Sequence, residues 1–155
     1  MPSSPLEHAP RAEEGRSGCF SRLDRIHRRG DFQIIRKEGF RFHSKHFVWF
    51  FRLRGEAEAE ASARRLGLAI SRRSGAAVRR NRIKRLLRET FRLQRERLPL
   101  LCDVLVSGKS GLPSLSLAEV LAEFLKVQAQ LRAALSSSSS SSRQAKAAST
   151  APLRR

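Results

Sequence analysis

The sequence predicts an α/β domain in which helices cover one sheet, and three observations support this class. Apolar residues follow a two-residue period in some stretches and a helical period in others, so both strands and helices are expected. These stretches follow one another in the order helix, strand, strand, strand, helix, strand, helix. The middle of the 155-residue chain carries enough apolar residues for one core. Elements of this kind bury their apolar sides against each other, which favours a sheet with helices packed on it.

The two ends of the chain are expected to lie outside this domain. Residues 1–19 are polar and contain proline, glycine, serine and acids, so we expect a disordered extension. Residues 136–155 begin with seven serines and end in a weakly basic stretch, so we expect a disordered tail. The predicted domain therefore spans residues 20–135. No stretch resembles a secretion signal or is apolar for long enough to cross a bilayer.

The domain is predicted to begin with a short helix and a hairpin. Phe32 and Ile35 are three residues apart, and Gly39 follows as a stop signal, which indicates a helix. A strand at 40–43 is expected to pair with a strand at 47–52. Aromatic residues alternate with other apolar residues in this second strand, so both of its faces should be buried.

A third strand is expected after the acidic, alanine-rich stretch 55–63, which we interpret as a loop. In this strand Leu66 and Leu68 share one face, whereas Gly67 and Ala69 lie on the other. Small residues leave room above a sheet. We therefore expect an open cleft on that face.

The second half predicts two helices around one more strand. Between residues 75 and 97 the apolar residues recur at helical spacing, and Pro99 ends the pattern. A strand follows at 102–107. Ser116 and Glu119 have the spacing of a capping box, which predicts the start of the last helix. The stripe of the first of these helices consists of Ile83, Leu86, Leu87, Thr90 and Phe91.

The side of this helix opposite the stripe is a concentrated basic surface. Between residues 64 and 97 there are thirteen Lys and Arg but only two acids, so this part carries +11 of the formal +18. A solvated helix face usually mixes charges and forms i,i+4 ion pairs. Like charges repel, and arginine forks match phosphate oxygens, so the surface predicts a nucleic-acid partner. This basic ridge consists of Asn81, Lys84, Arg85, Arg88 and Arg92.

The stretch "LGLAISRRSGAAVRRNRIKRLLRETFR", residues 66–92, resembles the signature of the bacterial ribonuclease P protein component. "GDFQII" and "GFRF" upstream and the strand and helix downstream fit the same family, so the resemblance covers about residues 20–135. The motif is specific because many residue types stand at fixed spacing. Its matched positions are Ser71, Arg72, Arg73, Gly75, Ala77, Val78, Arg80, Asn81, Arg82, Lys84, Arg85, Arg88 and Glu89.

The resemblance implies a two-layer sandwich with a four-stranded sheet, similar to domain 2 of ribosomal protein S5. It also implies a protein that binds the catalytic RNA of ribonuclease P and the 5′ leader of precursor tRNA. In the family the RNA carries the active site and Mg²⁺, so no cofactor is expected on the protein alone. We expect a cytoplasmic protein with no membrane partner and no small-molecule substrate. The residues implied to bind catalytic RNA are Arg79, Arg80, Asn81, Arg82, Lys84, Arg85, Arg88 and Arg92.

The leader cleft is implied to lie between the first helix and the sheet. Its expected residues are Phe32, Arg36, Val48, Phe50, Ser71, Arg72 and Arg73. Bases of single-stranded RNA stack on aromatic rings beside a basic groove. Plain core packing is the alternative interpretation of both phenylalanines. Many relatives carry a second aromatic residue where this chain has Arg36, so leader contact is expected to be more electrostatic here.

Neither a catalytic constellation nor a metal site is predicted. The acids are scattered, and His43 and His46 are interpreted as exposed turn residues. Cys19 and Cys102 lack metal-ligand spacing and are expected to be reduced thiols. A ribosomal or ribosome-assembly protein that binds RNA is the main alternative. A DNA-binding regulator would need a helix-turn-helix or dimer element, and a protein-only nuclease would need clustered carboxylates.

Overall fold

The computed structural model describes residues 19–58 and 63–147, with side chains as far as residue 138. The order of elements is the predicted one, with three short 3₁₀ turns added at 56–58, 72–74 and 95–97. The predicted extension 1–19 lies outside the described residues except for Cys19. The helices and strands are α1 Arg29–Glu38, β1 Phe40–His43, β2 Phe47–Leu53, β3 Arg64–Ala69, α2 Ala77–Gln94, β4 Cys102–Gly108 and α3 Leu117–Ala147.

The four strands form one mixed sheet in the order β1-β2-β4-β3. β2 pairs antiparallel with both β1 and β4, whereas β3 and β4 are parallel. A parallel pair needs a crossover connection, and α2 provides it. The segment before α1 covers the free edge of β3, where the Ile26 amide donates to the Leu66 carbonyl at 3.0 Å.

Strand β2 separates two cores, because both of its faces are apolar as predicted. Phe47, Trp49 and Phe51 are buried on the face covered by α2 and α3. Phe50 points the other way and packs with Ile35 of α1. The sheet and the pair α2 and α3 thus form the predicted sandwich, and α1 covers part of the opposite face.

The predicted stripe of α2 is the side that packs into the larger core. Ile83, Leu87 and Phe91 are almost fully buried, and Thr90 lies among them. The helix follows Gly75, whose φ of 144° is unfavourable for other residues. Because the stripe faces inward, the opposite side of α2 is directed away from the sheet.

Helix α3 begins at the predicted capping box. The Ser116 amide donates to the Glu119 carboxylate at 2.8 Å, and the Glu119 amide donates to Ser116 Oγ at 3.3 Å. The helix does not end at residue 135 but continues through the serine run to Ala147. This differs from the disordered tail predicted from residue 136. The hydroxyls of Ser136 and Ser138 donate to carbonyls three residues earlier, which satisfies these side chains within a helix. Whether residues 136–155 lie outside the domain stays a prediction.

Among the described helices, none combines the length and the apolar character needed to cross a bilayer.

Candidate RNA-binding surface

The basic ridge lies on the outward side of α2. Asn81 and Arg85 are exposed, and so is Arg82 beside the ridge. Lys84 and Arg88 are half-buried. Within the described part of the chain, none of the four basic residues forms an ion pair with a carboxylate. Arg82, Lys84, Arg85 and Arg88 therefore present positive charge that the described part of the protein does not neutralise.

At the two ends of the predicted RNA-binding set, Arg79 and Arg92 form hydrogen bonds within the protein. Arg92 donates from Nε to Glu89 at 2.9 Å, so its charge is paired. Arg79 donates to the Leu112 carbonyl at 3.1 Å and holds α2 to the loop before α3. Arg80 is half-buried, and its Nε is buried without a hydrogen-bond partner in the described structure. The central residues of the set are therefore more available for a partner than the terminal ones.

A groove beside the ridge adds residues that the motif did not indicate. Phe20, Arg25 and His27, from the segment before α1, line it together with Lys84 and Arg88, and its volume is about 170 Å³. The basic run "RLDRIHRRG" is the sequence signal that could have identified this segment. Partial burial lowers the pKa of Arg88, and the charges of Arg25 and Arg85 lower it further. A nearby anion would relieve this repulsion.

Three residues of the predicted leader cleft meet in one cavity. Arg36, Val48 and Phe50 line a space of about 360 Å³ beside α1. Arg41 and Ser107 line the same cavity, and sequence reasoning missed both. The alternation along β1 and β4 could have placed them on this face, but only once the strand register was known.

Phe32 lies near this cavity but fills a different space. The end of its ring lies over Gly67. A Cβ added to Gly67 would lie 3.3 Å from Phe32 Cζ, and it would be equally close to Ile26 and Leu105. The expectation of an open cleft above Gly67 is therefore wrong. The small residue allows Ile26 and Phe32 to approach the sheet, and the open part of this face lies nearer β1.

The remaining predicted cleft residues lie at the end of β3. Ser71, Arg72 and Arg73 are exposed and lead through a 3₁₀ turn into α2. None of the three lines the cavity formed by Arg36, Val48 and Phe50, which we call the Phe50 cavity. They are closer in sequence to the basic ridge, and their assignment to the leader cleft stays a prediction.

Most of the described acids form ion pairs with cationic residues and are not clustered with one another. Asp103 is fully buried between Arg54 and Arg65. His46, which was interpreted as exposed, is half-buried, and its Nδ1 bonds the carboxylate of Glu123. Within the described residues no three His, Cys, Asp or Glu side chains gather in a way that could hold a metal ion.

Comparison with known proteins identifies the family. A family model described as Ribonuclease P matches residues 20–132. The ribonuclease P protein component of Desulfovibrio desulfuricans is 44% identical over 103 residues, which cover 65% of this chain and 77% of that protein. The corresponding protein of Oleidesulfovibrio alaskensis is 45% identical over 92 residues, covering 59% of this chain and 71% of that one.

A solved structure agrees with this match. The RNase P protein from Thermotoga maritima superposes with a TM-score of 0.57 at 31% sequence identity. The superposition covers 67% of this chain and 94% of that one. The chain therefore belongs to the ribonuclease P protein family, as the RNA-binding protein subunit that partners ribonuclease P RNA in tRNA processing.

Proposed function

We propose that the protein is an accessory subunit whose basic ridge binds the catalytic RNA, while that RNA carries the active site. The observation that carries this proposal is the uncompensated charge along the outward side of α2. Arg82, Lys84, Arg85 and Arg88 have no carboxylate partner in the described structure, although most of the described acids form ion pairs with other cationic residues. Phosphates of a folded RNA would supply the missing negative charge.

The Phe50 cavity is the proposed contact for the 5′ leader of precursor tRNA. It lies on the sheet face beside α1 and is lined by two exposed arginines, and a positively charged groove suits single-stranded RNA. A subunit that holds the leader binds the precursor more tightly than mature tRNA. The mature product, which lacks the leader, would then leave readily.

Mg²⁺ is proposed to be held by the RNA rather than by this chain. The donor set supports this assignment, because the buried carboxylates of Asp103 and Glu123 are already bonded, Asp103 to Arg54 and Arg65 and Glu123 to His46. The ion would supply the activation of the hydrolytic water. The residues of this chain would bind and orient the two RNAs.

We further propose that the protein acts in the cytoplasm. Cys19 is an exposed free thiol and Cys102 is a buried one. Free thiols suit a reducing compartment.

The test is multiple-turnover cleavage of a precursor tRNA at low magnesium concentration, with a matched bacterial ribonuclease P RNA. We expect a large gain in rate when the protein is added to the RNA, and no cleavage by the protein alone. Cleavage by the protein alone would contradict the accessory role. No gain with the matched RNA would favour a ribosome-associated role for the ridge.

A further inference from the structure

The aromatic ring of the proposed leader cleft is already almost fully covered by the protein itself. Phe50 is only 6% exposed. Phe50 belongs to the smaller core, together with Ile35 and Leu105. The guanidinium carbon of Arg41 lies 5.7 Å from the ring centroid on the side of the cavity. Arg41 is the direct cross-strand partner of Phe50, so the β1–β2 register fixes this stack.

This arrangement leaves little room for a base on Phe50. A base that stacks on an aromatic residue needs an exposed ring face. Here a guanidinium occupies the face that a base would use. Phe50 therefore acts as a support that holds Arg41 by a cation–π contact.

The groups that remain open to a ligand are cationic and polar. Arg36, in the last turn of α1, and Arg41 both line the cavity and are exposed. Neither forms an ion pair within the described residues. Ser107 lines the same cavity from β4, where it lies opposite Val48. Two guanidinium groups and a hydroxyl match the oxygens of a phosphodiester better than a base edge.

We infer that Arg36 and Arg41 form a clamp for one leader phosphodiester, so that this cleft reads the backbone of the leader and not its bases. The inference rests on the proposed leader contact and specifies its chemistry. It predicts leader binding that depends on salt and tolerates any base at the clamped nucleotide.

The test uses the holoenzyme formed with the matched ribonuclease P RNA and a precursor tRNA blocked against cleavage. Each leader phosphate in turn is replaced by a neutral methylphosphonate, and in a second series each leader base is removed. Dissociation constants are measured for the unaltered protein, for Arg41→Gln and for Arg132→Gln, an exposed arginine of α3 that serves as the charge-matched control.

We expect one methylphosphonate position to weaken binding about tenfold, as for a lost charge-assisted contact. Removal of the base at that nucleotide should change binding less than about twofold. Arg41→Gln should weaken binding of the unmodified precursor to the same extent and show no further loss at that phosphate, because both changes remove one contact. Arg132→Gln should behave like the unaltered protein.

Two results would contradict the phosphate clamp and leave the proposed leader contact standing. In the first, the precursor binds more tightly than mature tRNA, but base removal costs more than phosphate neutralisation. In the second, Arg41→Gln keeps the full phosphate effect. If the precursor and mature tRNA bind equally well, the leader contact itself is wrong, and the clamp fails with it.

Discussion

Two arginine-rich regions of this molecule look alike in composition and differ in what surrounds them. At one end of the sheet, Arg52, Arg54 and Arg65 gather around the buried Asp103. On the outward side of α2, the basic ridge has no comparable acid at its centre. In the first set, which we call the Asp103 network, every arginine lies within 4.0 Å of a carboxylate oxygen, whereas Arg85 and Arg88 of the ridge have no carboxylate partner in the described structure. The difference teaches that a structural arginine is recognised by its carboxylate partner. The number of arginines in a region does not distinguish a structural role from a binding role.

The arginines of the Asp103 network compensate the buried negative charge of Asp103. Arg65 bonds both oxygens of Asp103 at 2.8 Å, and Arg54 Nε lies 2.9 Å from Asp103 Oδ1. The hydrogen bond to Asp103 raises the pKa of Arg65, whereas burial lowers the pKa of Arg54. Buried pairs contribute little net stability when complete, but removal of one partner leaves an uncompensated charge.

Asp103→Asn should produce the largest effect, because it leaves Arg54 buried without its counter-charge. We expect the free energy of unfolding to fall by about 3–5 kcal/mol, measured by urea denaturation. Glu58→Gln is the control, since Glu58 pairs with Arg52 at an exposed position and its loss should change stability little. Equal stability of Asp103→Asn and the unaltered protein would mean that the network has no structural role.

Arg85→Glu should leave the fold intact and weaken binding to ribonuclease P RNA. Arg85 is exposed on the ridge, so unfolding should change by less than about 0.5 kcal/mol. Loss of one charge-assisted contact should weaken binding roughly ten- to hundredfold, as measured by filter binding at physiological salt. Arg132→Glu on α3 makes the same charge change outside the ridge and should bind normally. Unchanged binding by Arg85→Glu would rule out this contact.

Phe50→Leu tests the cleft with a smaller change. Leucine keeps most of the apolar packing but removes the ring that supports Arg41. We expect affinity for precursor tRNA to fall about two- to fivefold, the size of an exposed cation–π contact, while mature tRNA binds as before. The corresponding Phe50→Ala change should show the same selectivity with a larger loss of stability, because the ring is buried. Equal losses for precursor and mature tRNA would exclude the leader assignment.

The smallest effect is expected for Cys102. The reactivity of its thiol measures how well solvent is excluded from the end of the sheet that holds the Asp103 network. Burial, aided by Asp103, raises the pKa of the Cys102 thiol to about 12. Since the unfolded thiol ionises near 9.0, its contribution to stability is complete below that pH and is lost as pH rises toward 12. At pH 8 a thiol reagent should modify the exposed Cys19 and spare Cys102 in the folded protein. Rapid modification of both, detected by mass spectrometry, would contradict the buried setting.

The ridge could be predicted from the sequence because it is a local property of one helix. The apolar stripe that buries Ile83 and Leu87 fixes the direction of every other residue on α2. The capping box of α3 and the two faces of β2 depend on short spacings as well. Each of these features can be predicted without knowing how the strands pair.

The Asp103 network and the cleft could not be predicted in this way. Arg65 and Asp103 are 38 residues apart, and His46 and Glu123 are 77 apart, so only the strand order brings them together. The same reason explains why Arg41 was missed, since its contact with Phe50 depends on the hairpin register. Gly67 was misjudged because a small residue can admit a neighbour as easily as it can leave a space.

The salt dependence of binding to ribonuclease P RNA tests the central claim most directly. The logarithm of the association constant falls linearly with the logarithm of salt concentration, by about 0.7–0.9 for each phosphate contact. The double variant Arg82→Gln, Arg85→Gln should show a slope shallower by about 1.4–1.8 than the unaltered protein. Lys126→Gln, Arg132→Gln removes the same charge from exposed positions of α3 and should keep the original slope. Equal slopes for the two double variants would contradict the assignment of the outward side of α2 to RNA binding.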